Sequence, residues 1–118
     1  MNVTIYHNPK CSKSRKTLEL LLSNGVEPTI VEYLVDPPDV ETLKAILGKL
    51  NIKARQLLRD KEARFVELAL ANSELSADEL VEAMVRNPIL IERPIVIIGE
   101  RAVIGRPPEN IYQLLEGV

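Results

Sequence analysis

Val3-Thr4-Ile5-Tyr6-His7-Asn8-Pro9-Lys10-Cys11-Ser12-Lys13-Ser14-Arg15-Lys16-Thr17 holds a strand, a turn and the opening of a helix, together with the chain's one histidine and one cysteine. Val3 to Tyr6 is β-branched and aromatic, the composition of a buried strand, and Asn8-Pro9 ends it in a turn. From about Ser12 or Ser14 the pattern becomes helical, with Leu18, Leu21 and Leu22 on one face and Asn24-Gly25 as the stop. Cys11 is therefore expected at or just before a helix N-terminus. Thr29-Ile30-Val31-Glu32-Tyr33 reads as a second strand, and a strand-helix-strand unit of this length implies parallel strands joined by a right-handed crossover.

Working outward, Asp36-Pro37-Pro38-Asp39 breaks the chain, and Asp39 can cap a helix whose Val40, Leu43, Ile46, Leu47 and Leu50 form an amphipathic stripe. Lys53 to Leu58 and Ala63 to Ala71 read as further helical pieces, the second less regular. Ser76-Ala77-Asp78-Glu79 has the form of a capping box, and Leu80, Val81, Met84 and Val85 supply the buried face that follows until Asn87-Pro88. Ile95-Val96-Ile97-Ile98 and Ala102-Val103-Ile104 flank Gly99-Glu100 as a hairpin with a type II′ turn. Pro107-Pro108 suits the start of a last helix carrying Ile111, Leu114 and Leu115. The order βαβ, helices, ββα predicts an α/β fold: a small mixed β-sheet with helices on both faces and a helical insertion between the βαβ and ββα parts. With no repeat and no linker, residues 1–118 are expected to form a single domain.

Composition bounds the function. At 118 residues, one core can bury roughly two-thirds of the unfolded chain's surface without disulfides. A hydrophobic share of 46% and a charged share of 27% are those of a globular chain. A lone cysteine cannot make an internal disulfide, which points to a reducing compartment and a cytoplasmic location. Met1-Asn2 runs straight into the first strand, so neither a targeting segment nor a membrane span is expected. The net charge of -2 offers no general attraction to nucleic acid.

Against that background the surroundings of Cys11 stand out: Lys10 to Lys16 holds four bases and no acid, although the chain counts 15 basic and 17 acidic side chains. A dithiol redox motif would need cysteine where Ser14 stands, and a tyrosine-phosphatase-like loop would need arginine where Thr17 stands. A zinc site would need more ligands than one Cys and one His, so no metal is expected. What remains is a monothiol nucleophile beside basic groups. Lowering a thiol pKa from about 8.5 by about two units raises the thiolate share at pH 7 roughly 25-fold, while intrinsic nucleophilicity falls roughly 8-fold, a net gain of about three. The basic patch must therefore do more than ionise. Lys13, Arg15 and the N–H groups of the helix start would also hold an oxyanion, which suggests an anionic substrate or an acidic thiol such as glutathione. Lys10, Lys13 and Lys16 can equally be a solvated basic face, and His7 can be a surface group or a tuner of the thiol.

The segment from Tyr6 to Arg15 closely resembles the active-site loop of the glutaredoxin-linked arsenate reductase family, which has a thioredoxin-like fold. Arg55-Gln56-Leu57-Leu58-Arg59, Pro88-Ile89-Leu90-Ile91-Glu92-Arg93-Pro94-Ile95-Val96 and Gly105-Arg106-Pro107-Pro108-Glu109 resemble the family's three other signature segments, in order and at similar spacing. The resemblance covers nearly the whole chain. It implies that Cys11 is the catalytic nucleophile, that Arg59, Arg93 and Arg106 bind the oxyanion, that His7, Ser14 and Arg15 tune the Cys11 pKa, and that Pro94 matches the cis-proline facing the cysteine of thioredoxin-like folds.

The implied activity is reduction of arsenate to arsenite, in the service of arsenical resistance, through a covalent thiol-arsenate adduct. No cofactor is bound; glutathione acts as co-substrate and glutaredoxin as redox partner of a monomer. The chain stops soon after the last helix, so a C-terminal extension is expected to play no part. Two alternatives stay open at this level: a glutathione-dependent thiol reductase or deglutathionylating enzyme acting on another substrate, and a regulator binding RNA polymerase like the Spx-type relatives of the fold, whose usual two-cysteine switch Ser14 removes.

Overall fold

The computed structural model describes residues 2–116. Two compact units divide the chain, one of Met1–Asp36 with Arg93–Val118 and one of Pro37–Glu92. In the first, Val3–Tyr6 (β1), Thr29–Val31 (β2), Ile95–Ile98 (β3) and Arg101–Ile104 (β4) make one four-stranded mixed sheet in the order β2-β1-β3-β4. β1 and β2 run parallel, with Ile5 opposite Ile30, because the helix Ser12–Ser23 (α1) carries the chain back between them. β3 lies antiparallel to β1, with Ile5 opposite Val96, and turns into β4 as a hairpin. Gly99, at φ 58°, takes the left-handed position of that turn while Glu100 does not, which is the type II′ pattern.

Val3, Ile5, Leu21, Val26, Val96, Ile111 and Leu114 form the core of this unit, joining β1 and β3 to α1 and to the last helix, Ile111–Leu115. α1 ends where Gly25 turns left-handed and Val26 N–H reaches back to Leu21 O at 2.9 Å, so the stop signal also delivers Val26 into the core. Each such fully buried aliphatic side chain contributes about 1.5–3 kcal/mol.

The second unit holds Val40–Leu50 (α2), Ala54–Leu57 (α3), Ala63–Glu67 (α4) and Ala77–Arg86 (α5); the final helix Ile111–Leu115 is α6. Asp39 caps α2 through Thr42 N–H at 2.8 Å, and Ser76 and Glu79 form the expected reciprocal capping box at α5. α5 packs Leu80, Val81 and Met84 toward α2, α3 and a 3-10 turn at Pro88–Leu90. Leu58 and Ile91 form an isolated antiparallel bridge that ties the end of α3 to the segment after that turn. None of the helices in the described residues is long and apolar enough to cross a membrane.

Two segments are shorter than their composition suggests. The strand expected over Thr29 to Tyr33 ends at Val31, because His7 N–H takes Val31 O at 2.8 Å and the chain then turns, with Val35 and Asp36 N–H both on Glu32 O. Tyr33 is thereby buried from a turn rather than a ladder. The helical reading of Ala63 to Ala71 holds only to Glu67: Ala69 goes left-handed at φ 54° and Leu70 N–H returns to Phe65 O, closing the helix without a glycine.

One glycine fixes how closely α1 approaches the sheet end. A methyl group on Gly105 would lie 2.5 Å from Thr17 Oγ1 and 2.8 Å from Pro94 Cγ. Thr17 is fully buried and its hydroxyl donates to Lys13 O at 2.8 Å, so it has little room to move. Gly105→Ala is expected to lower stability by about 1–3 kcal/mol through overpacking, read as a fall in the urea midpoint with unchanged slope.

Candidate active site

The loop leaving β1 is tied to itself before it reaches the thiol. His7 and Asn8 are both buried. Asn8 O accepts from Cys11 N–H and Asn8 Oδ1 from Lys10 N–H, each at 3.0 Å, which folds the turn that Asn8-Pro9 announced. Ser14, on the first turn of α1 and fully buried, receives Asn8 N–H on its Oγ at 3.0 Å and sits 2.6 Å from His7 Nδ1. The loop and the helix start are thus one hydrogen-bonded piece. Cys11 is the N-cap residue of α1, extended at φ -95° and ψ 123°, with its carbonyl accepting Arg15 N–H.

An N-cap cysteine places its sulfur where Ser or Asp would offer oxygen, and the unsatisfied N–H groups of the first turn serve the sulfur instead. Burial pushes the Cys11 pKa up, but Ser14 N–H, the Arg93 side chain, Lys13 N–H and the Arg93 charge together outweigh it, and the thiol lies below its ordinary value. For His7, burial is the leading effect and lowers the pKa; Glu32 opposes it and Arg15 adds to it. His7 is accordingly a neutral imidazole at pH 7, a partner of Ser14 rather than a cation beside the sulfur.

Arg93 and Arg106 reach the sulfur through strand register. β3 and β4 pair Ile95 with Ile104, and continuing that count sets Arg93 opposite Arg106, just beyond the paired ends. β1 pairs Tyr6 with Ile95, so the loop after β1 leaves the sheet at the same end. Arg93 hydrogen-bonds the Cys11 sulfur, and Arg106 Nη1 stands 3.8 Å from Sγ while also donating to Arg93 O at 3.3 Å. Both arginines precede cis-prolines, Pro94 and Pro107. Asn110 Nδ2 donates to Ile104 O and Arg106 O and holds this second loop, as Gly105 N–H to Pro94 O does.

Of the residues singled out from the sequence, the first unit gathers His7, Cys11, Ser14, Arg93 and Arg106 at this end of the sheet. Arg15 is exposed and donates to Pro9 O at 3.0 Å. Arg59 belongs to the second unit, where its N–H bonds Leu90 O and its guanidinium pairs with Glu92 and Glu62. Asn8, Thr17 and Asn110 escaped sequence reasoning; Asn8 alone had a local signal, an Asn-Pro step after a strand. Among the described residues, no three His, Cys, Asp or Glu side chains converge as metal ligands would.

Residues 6–114 match the ArsC family. The chain is 54% identical over 114 residues to the uncharacterized protein YfgD of Escherichia coli K12, covering 96% of each. It is 48% identical over 116 residues to an arsenate reductase of Haemophilus influenzae, covering 98% of this chain and all of the relative. The solved structure of an arsenate reductase from Vibrio cholerae superposes with a TM-score of 0.94 at 48% identity, over 96% of this chain and 97% of that one. At that likeness the four-stranded mixed sheet and its helices are the thioredoxin-like fold.

The alkylation rate of Cys11 by iodoacetamide, followed against pH, is expected to reach half its plateau below the ordinary thiol value of about 8.5. Arg93→Ala should move that midpoint upward, since it removes a hydrogen bond and a charge from the thiolate. An unchanged midpoint in the variant would assign the ionisation to the helix N–H groups alone.

Proposed function

The chain belongs to the ArsC family, and from that footing we propose that it reduces arsenate to arsenite through a covalent adduct on Cys11, drawing electrons from glutathione and glutaredoxin. The observation that carries the reading is a thiol biased toward thiolate with two guanidinium groups at its sulfur. A nucleophile meant for a neutral electrophile has no need of them. A thiolate attacking an oxyanion meets charge repulsion, and planar guanidinium forks suit both the incoming tetrahedral oxyanion and the charge that grows as sulfur bonds to arsenic.

In the proposed cycle the Cys11 thiolate forms a bond to arsenic and one arsenate oxygen leaves as water after protonation. Glutathione then attacks, and the two electrons that take arsenic from +5 to +3 come from two thiols, those of Cys11 and glutathione, which end joined as a mixed disulfide while arsenite departs. Glutaredoxin with further glutathione returns Cys11 to the free thiol. External thiols are needed because the chain has no second cysteine. His7 and Ser14 would set the loop that aims the sulfur. Arg15 and Arg59 enter on the sequence resemblance. The protein is read as a cytoplasmic monomer with no bound cofactor.

The test couples arsenate reduction to NADPH oxidation through glutathione reductase, glutathione and glutaredoxin. Wild type should show arsenate-dependent oxidation and Cys11→Ser none; absence of turnover in the wild type would sink the proposal. Arg93→Ala should lose about 10²-fold or more in kcat/KM, the cost of removing one donor to a developing anion. Arg59→Ala is expected to weaken arsenate handling while leaving Cys11 reactive to iodoacetamide, and equal losses in both would indicate misfolding instead.

A further inference from the structure

Arg55 opens one of the signature segments in the sequence, and the proposed chemistry gives it no task. Its guanidinium donates from Nη1 to Leu70 O at 2.8 Å and from Nη2 to Asn72 O at 3.0 Å. Both acceptors are neutral, so the side chain ties the 70–72 segment to α3 while its own charge stays uncompensated.

That tie helps to build a groove inside the unit Pro37–Glu92. At the end of α2, Asn51 turns left-handed at φ 56° and Ile52 N–H returns to Leu47 O at 3.3 Å, which brings Ile52 to the groove beside Leu47. α5 packs against α2 and α3 and lends the buried side chains of Leu80 and Val81, and Leu75 completes the apolar lining. The volume is about 550 Å³, in the range of small-molecule sites.

The polar groups on this lining have one dominant sign. Lys44, Lys53 and Arg55 stand against a single acid, Asp78. Lys44 and Asp78 pair at 2.9 Å and cancel. Among the described residues neither Lys53 nor Arg55 has an acidic partner within 4 Å. Two positive charges are left beside an apolar bed, in a chain whose net charge is -2. A second groove along α5, of about 490 Å³, shares Leu75 and Asp78 but adds Glu79 and Glu82, with Arg86 spent on Glu82. Charge therefore separates the two grooves more than size or apolarity does.

We propose that the groove between α2, α3 and α5 binds a small organic anion, a carboxylate on an apolar chain or ring. The apolar body rests on Ile52 and Leu75, and the carboxylate lies between Lys53 and Arg55. A guanidinium keeps N–H donors to spare after two carbonyl bonds, and the flexible ammonium of Lys53 adapts to the other oxygen. Apolar burial supplies affinity, while two unpaired bases select against a cationic analogue of the same shape. An acidic polypeptide would need a longer track of bases than these two, which favours the small ligand. No step of the Cys11 chemistry enters.

The test titrates octanoate, below its micellar concentration, into the isotope-labelled protein and follows the backbone amide signals by NMR. Octylammonium is the cationic analogue and acetate the head group alone. Octanoate should move Ile52, Lys53 and Ala54 along one saturable curve, at least about tenfold tighter than octylammonium, and acetate should leave them in place. Octylammonium should instead move Glu82 and Ala83. Lys53→Glu should weaken octanoate about tenfold and Asp78→Asn should tighten it severalfold, both effects shrinking between about 20 and 300 mM NaCl. Leu75→Ser should weaken octanoate severalfold and keep the preference over octylammonium. Amide signals unchanged outside the groove in each variant would show that the fold is intact. Equal affinity for octanoate and octylammonium, shifts scattered over the surface, or indifference to Lys53→Glu overturns the site. An acidic, leucine-containing peptide that moves these signals where octanoate does not also overturns it, and gives the groove to a protein partner.

Discussion

A thiol held almost entirely out of water can give up its proton readily only where donors and positive charge meet the sulfur, and the architecture around Cys11 is organised by that requirement. Desolvation alone would keep the thiol protonated. The opposing contributions come from two different levels of structure. The start of α1 offers Lys13 and Ser14 N–H groups because no side-chain oxygen occupies the N-cap. The β3–β4 hairpin offers Arg93, and its register sets Arg106 opposite at the same end of the sheet, with Nη1 3.8 Å from the sulfur.

Holding these two sources together is a packing problem. Gly105 lies against Thr17 of α1 and against Pro94, and its N–H bonds Pro94 O. Those contacts set the distance between the helix that polarises the sulfur and the loops that carry the guanidinium groups. Asn110 pins the Arg106 loop from the other side. His7, neutral by burial, belongs to the same scaffold: it and Asn8 both engage Ser14, so the loop cannot move without the helix start. Sulfur reactivity is in this way a joint property of the helix start, through the N–H groups of Lys13 and Ser14, and of the packed end of the sheet that brings Arg93 to the sulfur.

That division reassigns the basic residues that dominate the local sequence. Lys10, Lys13 and Lys16 point to water, and the Lys13 contribution to the sulfur is made by its backbone N–H. Under the proposed function the half-buried pair, Arg93 and Arg106, handles the oxyanion. A side chain in water contributes little to a pKa by screened attraction but a good deal to the field that a charged partner meets on approach.

Several features were legible from the residues because they are local. β-Branched runs marked the strands, Asn24-Gly25 stopped α1, Ser76 and Glu79 capped α5, and Gly99 chose the hairpin turn. The two-residue turn at Gly99-Glu100 even contained the pairing of Arg93 with Arg106, since a tight turn fixes every pair above it, although spacing alone does not show which residues a hairpin end will face. The early end of β2 and the closure of α4 at Ala69 were not legible, because each depends on hydrogen bonds made after the chain has turned. By itself the sequence determined the order of elements, a monothiol at a helix start, and the family of which the chain is a member. Only the tertiary structure decided that the thiol pKa is lowered by the N–H groups of the helix start and by Arg93 rather than by the adjacent lysine side chains, because burial and distance set electrostatic strength and Arg93, 82 positions away in the chain, is brought to the sulfur by the fold.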